Sequence, residues 1–135
     1  MSVLPFTDVE GAVRAWLRTV PDSTVGARVY FAVPDGNPTM PLATVARVTG
    51  GMQPDGVLED VVLTVDVWAK TKEDAARAYR LLAAAIVKAE GVALDAGTWC
   101  HGAAVNNVVW LPDPVTKTPR YSLTVVLTVE ARELP

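Results

Sequence analysis

One cysteine and one histidine among 135 residues leave little material for thiol or imidazole chemistry. Cys100 standing alone excludes an internal disulfide and fits a reducing compartment. His101, its neighbour, would have to serve unaided in any Ser-His-Asp triad or histidine metal set. Adjacent residues rarely converge on one metal, and neighbours in an extended segment face opposite ways. The pair therefore reads as a buried thiol beside a loop imidazole. No catalytic residue, metal ligand or cofactor-binding residue is expected. Charge is sparse too: 20% of residues, net −3, with no lysine or arginine run to track phosphates. No stretch approaches the ~18 consecutive apolar residues that suggest a membrane span. The amino terminus lacks a basic segment followed by a long apolar run, so no signal peptide is expected. These absences predict a soluble cytoplasmic domain with no membrane partner.

Other motifs are equally thin. The glycines at 36 and 50–51 sit in turn-forming sequence, and neither follows a phosphate-loop pattern into a helix. Asp55, Glu59 and Asp60 form a loose acidic group without calcium-loop spacing, which reads as a solvated connection. Trp68, Trp99 and Trp110 could stack on bases or sugars, but no nearby basic residue supplies the electrostatic half of such a platform. Packing under helices or at a subunit contact is the plainer reading. Asp66 and Arg120 are candidate inter-subunit ion-pair members.

What is abundant is apolar side chain, half of all residues. In one domain spanning 1–135 this exceeds what a core needs, and implies apolar surface meeting another subunit. Thr7 and Glu10 fit a capping box. Val9, Ala12, Val13, Trp16, Leu17 and Val20 follow at helical spacing, and Pro21 ends the helix. Strands are expected over 28–33 and 42–49, forming a hairpin across the turn-rich loop 34–41. A flexible connection over 50–56 leads to a third strand over 57–69, with Val61, Leu63, Val65 and Val67 on one face. Thr71 caps a second helix with Asp74 three residues on. Its apolar face comprises Ala75, Tyr79, Leu82, Ala83, Ile86 and Val87, and Gly91 is the expected C-cap. After a loop through Gly97, strands over 103–111 and 120–134 flank a tip at 112–119. The last strand alternates cleanly, with Tyr121, Leu123, Val125, Leu127 and Val129 on one face.

The expected fold is therefore α+β, in the order α-β-β-β-α-β-β, with two helices on a largely antiparallel sheet. Strands approaching about 13 residues are twice the usual length, and long hairpins need neighbours to satisfy their edges.

These features resemble the tail terminator proteins of long-tailed, siphovirus-type bacteriophages. The resemblance rests on the segment TDVEGAVRAWLRT, on the strand-to-helix unit VVLTVDVWAKTKEDAARAYRLLAAAI, and on the closing strand PRYSLTVVLTVEARE. It implies a structural virion protein, not an enzyme, made in the bacterial cytoplasm and placed at the head-proximal end of the tail. It further implies a homohexameric ring that caps the tail tube, contacts the tube protein and a neck or head-completion protein, and passes DNA through its lumen without sequence-specific binding. No cofactor is implied. The expected assembly contacts lie in the loops, at Pro34, Asp35, Asn37, Met40, Met52, Asp55, Asp113, Thr116, Lys117 and Thr118. Another neck protein, such as a head-completion protein or head-to-tail adaptor, or a tail tube subunit, remains an alternative. So does a small enzyme or ligand-binding domain with a pocket between the second helix and the sheet, for which Asp66, His101, Asn106 and Asn107 are the available polar groups.

Overall fold

A computed structural model describes residues 7–132. The first helix, α1 (Val9–Leu17), begins one residue off the expected capping box. Asp8 is its N-cap, and the Asp8 carboxylate accepts a hydrogen bond from the Gly11 backbone N–H at 3.1 Å. A carboxylate serves the positive end of a helix better than a hydroxyl does, so Asp8 outcompetes Thr7. Val9, Ala12, Val13 and Leu17 are buried, while Trp16 and Val20 pack on the rim of the core. The helix stops at Leu17, ahead of Pro21, and tight turns at Thr19 and Val20 follow.

The sheet has six strands: β1 (Val29–Tyr30), β2 (Leu42–Met52), β3 (Leu58–Trp68), β4 (Val92–Asp95), β5 (Thr98–Trp110) and β6 (Arg120–Ala131). Helix α2 (Lys72–Val87) lies between β3 and β4 in sequence, and the spatial strand order is β1-β2-β3-β6-β5-β4. The α+β class holds, with one strand more than expected. Residues 133 and 134, included in the expected last strand, lie outside the described residues, as does the amino-terminal segment 1–6.

The first expected hairpin is absent. β1 pairs parallel with β2, and only through Val29 and Tyr30. Arginine side chains take the place of strand partners here. Arg14 and Arg18 both donate to the Val29 carbonyl, at 3.0 and 3.2 Å, and Arg28 donates to the Pro41 carbonyl at 2.8 Å. With those acceptors satisfied, the chain leaves the sheet after Tyr30, exposing Phe31 and Val33.

β2 runs on through the expected flexible segment to Met52. A register shift between Arg47 and Thr49 re-aims the strand. Gly50 then sits at φ +135°, where a Cβ would collide with the Asp60 carbonyl oxygen, so glycine there permits close strand approach rather than a loop. The four-residue β4 was hidden inside what reads as a loop. It turns at Asp95, whose carboxylate accepts from the Gly97 N–H at 2.9 Å, and pairs with the start of β5.

Thr71 caps α2 as expected, its hydroxyl accepting from the Asp74 N–H at 3.1 Å. The helix ends at Lys88 rather than Gly91; Gly91, at φ +77°, instead opens the way into β4. Ala75, Ala78, Leu82 and Ile86 are the buried positions, and Val87 is exposed.

One core joins both helices to one face of the sheet: Val61, Leu63, Val65 and Val67 of β3 with Leu123, Val125, Leu127 and Val129 of β6. Helix α2 packs on β3, β5 and β6, and α1 touches β1, β2 and β4. In a flat sheet the two edges would stand about 24 Å apart, farther than the ~13 Å length of a nine-residue helix. The sheet therefore curls toward α1. No helix covers its other face among the described residues. Leu42, Trp68, Arg120 and Trp110 lie together at one end, the loop end; Met52, Glu59, Val129 and Cys100 lie at the other, the turn end.

Candidate assembly surfaces

Two of the three expected contact loops meet. Residues 34–41 and 112–119 both emerge at the loop end, where Asn37, Pro38, Met40, Ala69, Lys70, Thr116, Lys117, Thr118 and Pro119 line a cleft of about 340 Å³. Five of the ten expected contact residues, Asn37, Met40, Thr116, Lys117 and Thr118, thus share one site. Pro34 and Asp35 lie on the same loop but outside the cleft lining. Lys70 was missed, although its place between the end of β3 and the Thr71 cap puts it at a strand end, where contact residues gather.

The 112–119 tip is built from its own backbone. Leu111 N–H donates to the Arg120 carbonyl at 2.9 Å, and the Arg120 guanidinium returns a bond to the Leu111 carbonyl at 2.7 Å, closing the base. Asp113 accepts from the Val115 and Thr116 N–H groups at 2.8 and 2.9 Å. Those two amides hold the Asp113 carboxyl below its ordinary range, Thr116 contributing most. The Thr116 and Thr118 hydroxyls lie 2.8 Å apart, and Lys117 takes a left-handed conformation at φ +62°. A bond from the Ala69 N–H to the Pro119 carbonyl ties the tip to the strand-to-helix junction. A loop ordered this way can meet a partner with little further loss of freedom. Its chemistry is recognition: two ammonium groups, two hydroxyls and an amide facing a shallow space.

Met52 and Asp55 stand at the turn end, roughly 33 Å away along an eleven-residue strand. Asp55 accepts from the Val57 and Leu58 N–H groups at 2.9 and 3.2 Å, and these bonds lower its carboxyl pKa. The expected acidic group does not exist as a unit. Glu59 and Asp60 are neighbours on β3 and face opposite sides. Glu59 is 2% exposed, with one carboxylate oxygen 2.8 Å from the Arg47 guanidinium. That is ion-pair contact without well-aligned hydrogen bonds, since both Glu59 oxygens lack a geometrically good donor. Asp60, on the open face, accepts from Gln53 and Thr128. Among the described residues no group of three potential ligands could hold a metal ion.

The tryptophans do have cations, brought from elsewhere in the chain. Arg120 lies over Trp68, Arg132 over Trp99 and Lys72 over Trp110, at 4.5, 4.3 and 4.6 Å from the ring centroids. Each ring is covered separately, so no common stacking platform forms; Trp110 meets α2 through Lys72 and lies beside Tyr121. Asp66 and Arg120, expected to reach between subunits, face each other within the chain at 3.7 Å. Cys100 is buried; burial raises its pKa, and its thiol donates to the Gly102 carbonyl. His101 belongs to β5 rather than to a loop, beside a register shift, with its Nε2 3.1 Å from Glu130. Glu130 also accepts from Arg132, and these two partners, His101 first, lower its pKa. A second, apolar cleft of about 320 Å³ lies between the helices, lined by Trp16, Val20, Pro21, Leu81, Ala84, Ala85 and Lys88. Asp66, His101, Asn106 and Asn107 line neither cleft.

Comparison with known proteins agrees with a virion role. The family model for tail completion protein gp17 matches residues 11–130. Among solved structures, a chain from the virion of a native gene transfer agent particle superposes with a TM-score of 0.68 at 22% identity. The match covers 90% of this chain and 94% of that one, and it speaks for a shared fold. No curated protein matches the sequence.

Proposed function

This chain belongs to the tail completion protein gp17 family, structural proteins of the phage virion tail, and from that premise we propose that it forms a ring capping the head-proximal end of the tail tube. In that role it ends tube polymerisation and offers a second surface to a neck protein. The observation that carries the reading is the separation of the contact loops. Two converge on the Lys70 and Lys117 cleft, and the third stands at the opposite end of the sheet. A subunit with two unlike ends suits a cap, which must bind the tube on one side and refuse further tube subunits on the other. Pro34, Asp35, Asn37, Met40, Thr116, Lys117, Thr118 and Asp113 would serve one of these attachments, and Met52 and Asp55 the other. The ring would be a homohexamer through which DNA passes, and a net charge of −3 suits a lumen that must not retain DNA. No catalytic step is assigned to it.

The test is electron microscopy of particles made with the gene silenced. Overlong tails detached from DNA-filled heads are the expected result. Tails of normal length beside intact heads would make this a joining protein instead, and normal infectious particles would end the assembly reading. Replacing 116–118 with a glycine-serine linker should leave the fold intact and impair assembly; normal assembly by that variant would remove the tip from the contact.

A further inference from the structure

Two strand edges of this molecule lack neighbours, and they match each other. β4 covers β5 only up to Cys100, and β1 covers β2 only at Ala43 and Thr44. Among the described residues, 103–110 of β5 and 46–52 of β2 have no partner on their outer side. The free β5 stretch, AAVNNVVW, carries no charge and no proline, the devices by which proteins keep an edge from pairing. Val108, Val109 and Trp110 are exposed there. The free β2 stretch, ARVTGGM, has one charge, Arg47, and that is already paired with Glu59. Val48 beside it is 59% exposed.

Direction and height agree as well. β2 runs toward the turn end and β5 runs away from it. A second copy in the same orientation would therefore set its β2 antiparallel to this β5. Traced through the ladder, residues 103–110 stand level with Val61 to Val67 of β3, and residues 46–52 with Glu59 to Thr64. The stretches overlap already, and a slide of about two residues, ~7 Å, aligns their centres.

Resting on the ring reading, we infer that subunits join by pairing the β5 edge of one copy with the β2 edge of the next, making one continuous antiparallel sheet around the ring. The contact is heterologous, the kind that closes into rings. It satisfies edge backbone groups and covers the apolar side chains beside them.

Hydrogen exchange read by mass spectrometry on the full chain, with sedimentation to give its mass, tests this. On self-association, amides in both 46–52 and 103–110 should exchange about tenfold more slowly or better. An oligomer whose two edges exchange as in the monomer would overturn the inference and leave the ring reading standing. A monomer at the highest attainable concentration would also overturn it, with tail length still deciding the ring reading. Val108→Pro sharpens the result. Because the Leu111 N–H points toward β6, alternation turns the Val108 N–H outward, so proline removes an edge donor and spares the internal ladder. Unchanged melting with loss of the oligomer is expected, and a wild-type oligomer would count against the edge. Should the variant unfold, exchange on the unaltered protein decides.

Discussion

The loop end and the turn end of the sheet handle charge in opposite ways. At the turn end, charged groups are held by side-chain partners: Arg47 by Glu59, Asp60 by Gln53 and Thr128, Glu130 by His101 and Arg132. At the loop end order comes from backbone bonds within the 112–119 tip. Lys70 and Lys117 face the cleft without an ion-pair partner among the described residues. The turn end spends its polar groups on holding the fold; the loop end commits Arg120 to Asp66 and Leu111 but keeps Lys70 and Lys117 available. Stability and attachment should therefore separate when each end is altered.

The largest effect is expected from Glu59→Ala. It leaves the Arg47 guanidinium without its carboxylate. The pair is buried on the Glu59 side and open to water on the Arg47 side, so its loss should cost about 2 kcal/mol, between the values for exposed and buried pairs. Urea unfolding of Glu59→Ala should show that loss, whereas Lys70→Ala with Lys117→Ala should stay within about 0.5 kcal/mol of the parent. If Glu59→Ala proves nearly neutral, the turn end is not held by its ion pair and the contrast collapses. If the double lysine variant unfolds early, the cleft is structural after all.

How far the sequence foretold these ends depends on the range of the interactions. Alternation in β3 and β6 was legible because a period of two is enforced by burial on one face, and Val61 through Val67 and Leu123 through Val129 obey it. The Thr71 cap was legible because capping is local. The parallel β1–β2 pair was not, since it depends on Arg14 and Arg18 reaching a carbonyl more than ten residues away. Gly50 misled because a close approach to Asp60 and a turn call for the same residue. The contact loops could be named as loops, but nothing in their sequence tells which two meet. That is fixed by strand register, which puts 34–41 and 112–119 at one end. At the turn end, the partners Arg47 and Glu59, Thr128 and Asp60, and His101 and Glu130 are likewise products of pairing across strands.

A smaller effect tests whether Lys117 is kept for its charge. At φ +62° a lysine carries the left-handed penalty that glycine escapes. Lys117→Gly should raise stability by up to about 1 kcal/mol, less glycine's greater unfolded-state entropy. It should also weaken attachment of the protein to tails, measured by co-sedimentation. A variant that is more stable and attaches equally well would show that the ammonium is dispensable. A less stable variant would show that it supports the tip.

The smallest effect is acid sensitivity, and it should appear at both ends. The carboxyls of Asp55 and Asp113 are lowered by backbone N–H donors, and that of Glu130 by His101 and Arg132. A folded-state pKa below the unfolded one contributes stability that is fully present above the ordinary carboxylate value, about 4, and is lost as pH falls through the depressed value. Asparagine at 55 or 113 keeps an oxygen to accept the same amides but does not titrate there. Parent and Asp55→Asn, Asp113→Asn or Glu130→Gln should therefore differ most at neutral pH and converge on acidification. Because Asp55 is exposed and Asp113 and Glu130 are partly so, solvent and salt screen each gap to a small one. Glu130→Gln should show the widest, because Glu130 is held by side-chain bonds from His101 and Arg132, whereas the attraction of Asp113 to Arg120 is minor beside its amide bonds. A gap that stays constant down to low pH would mean that the substitutions act through shape, and that neither end draws stability from its ionised carboxylates.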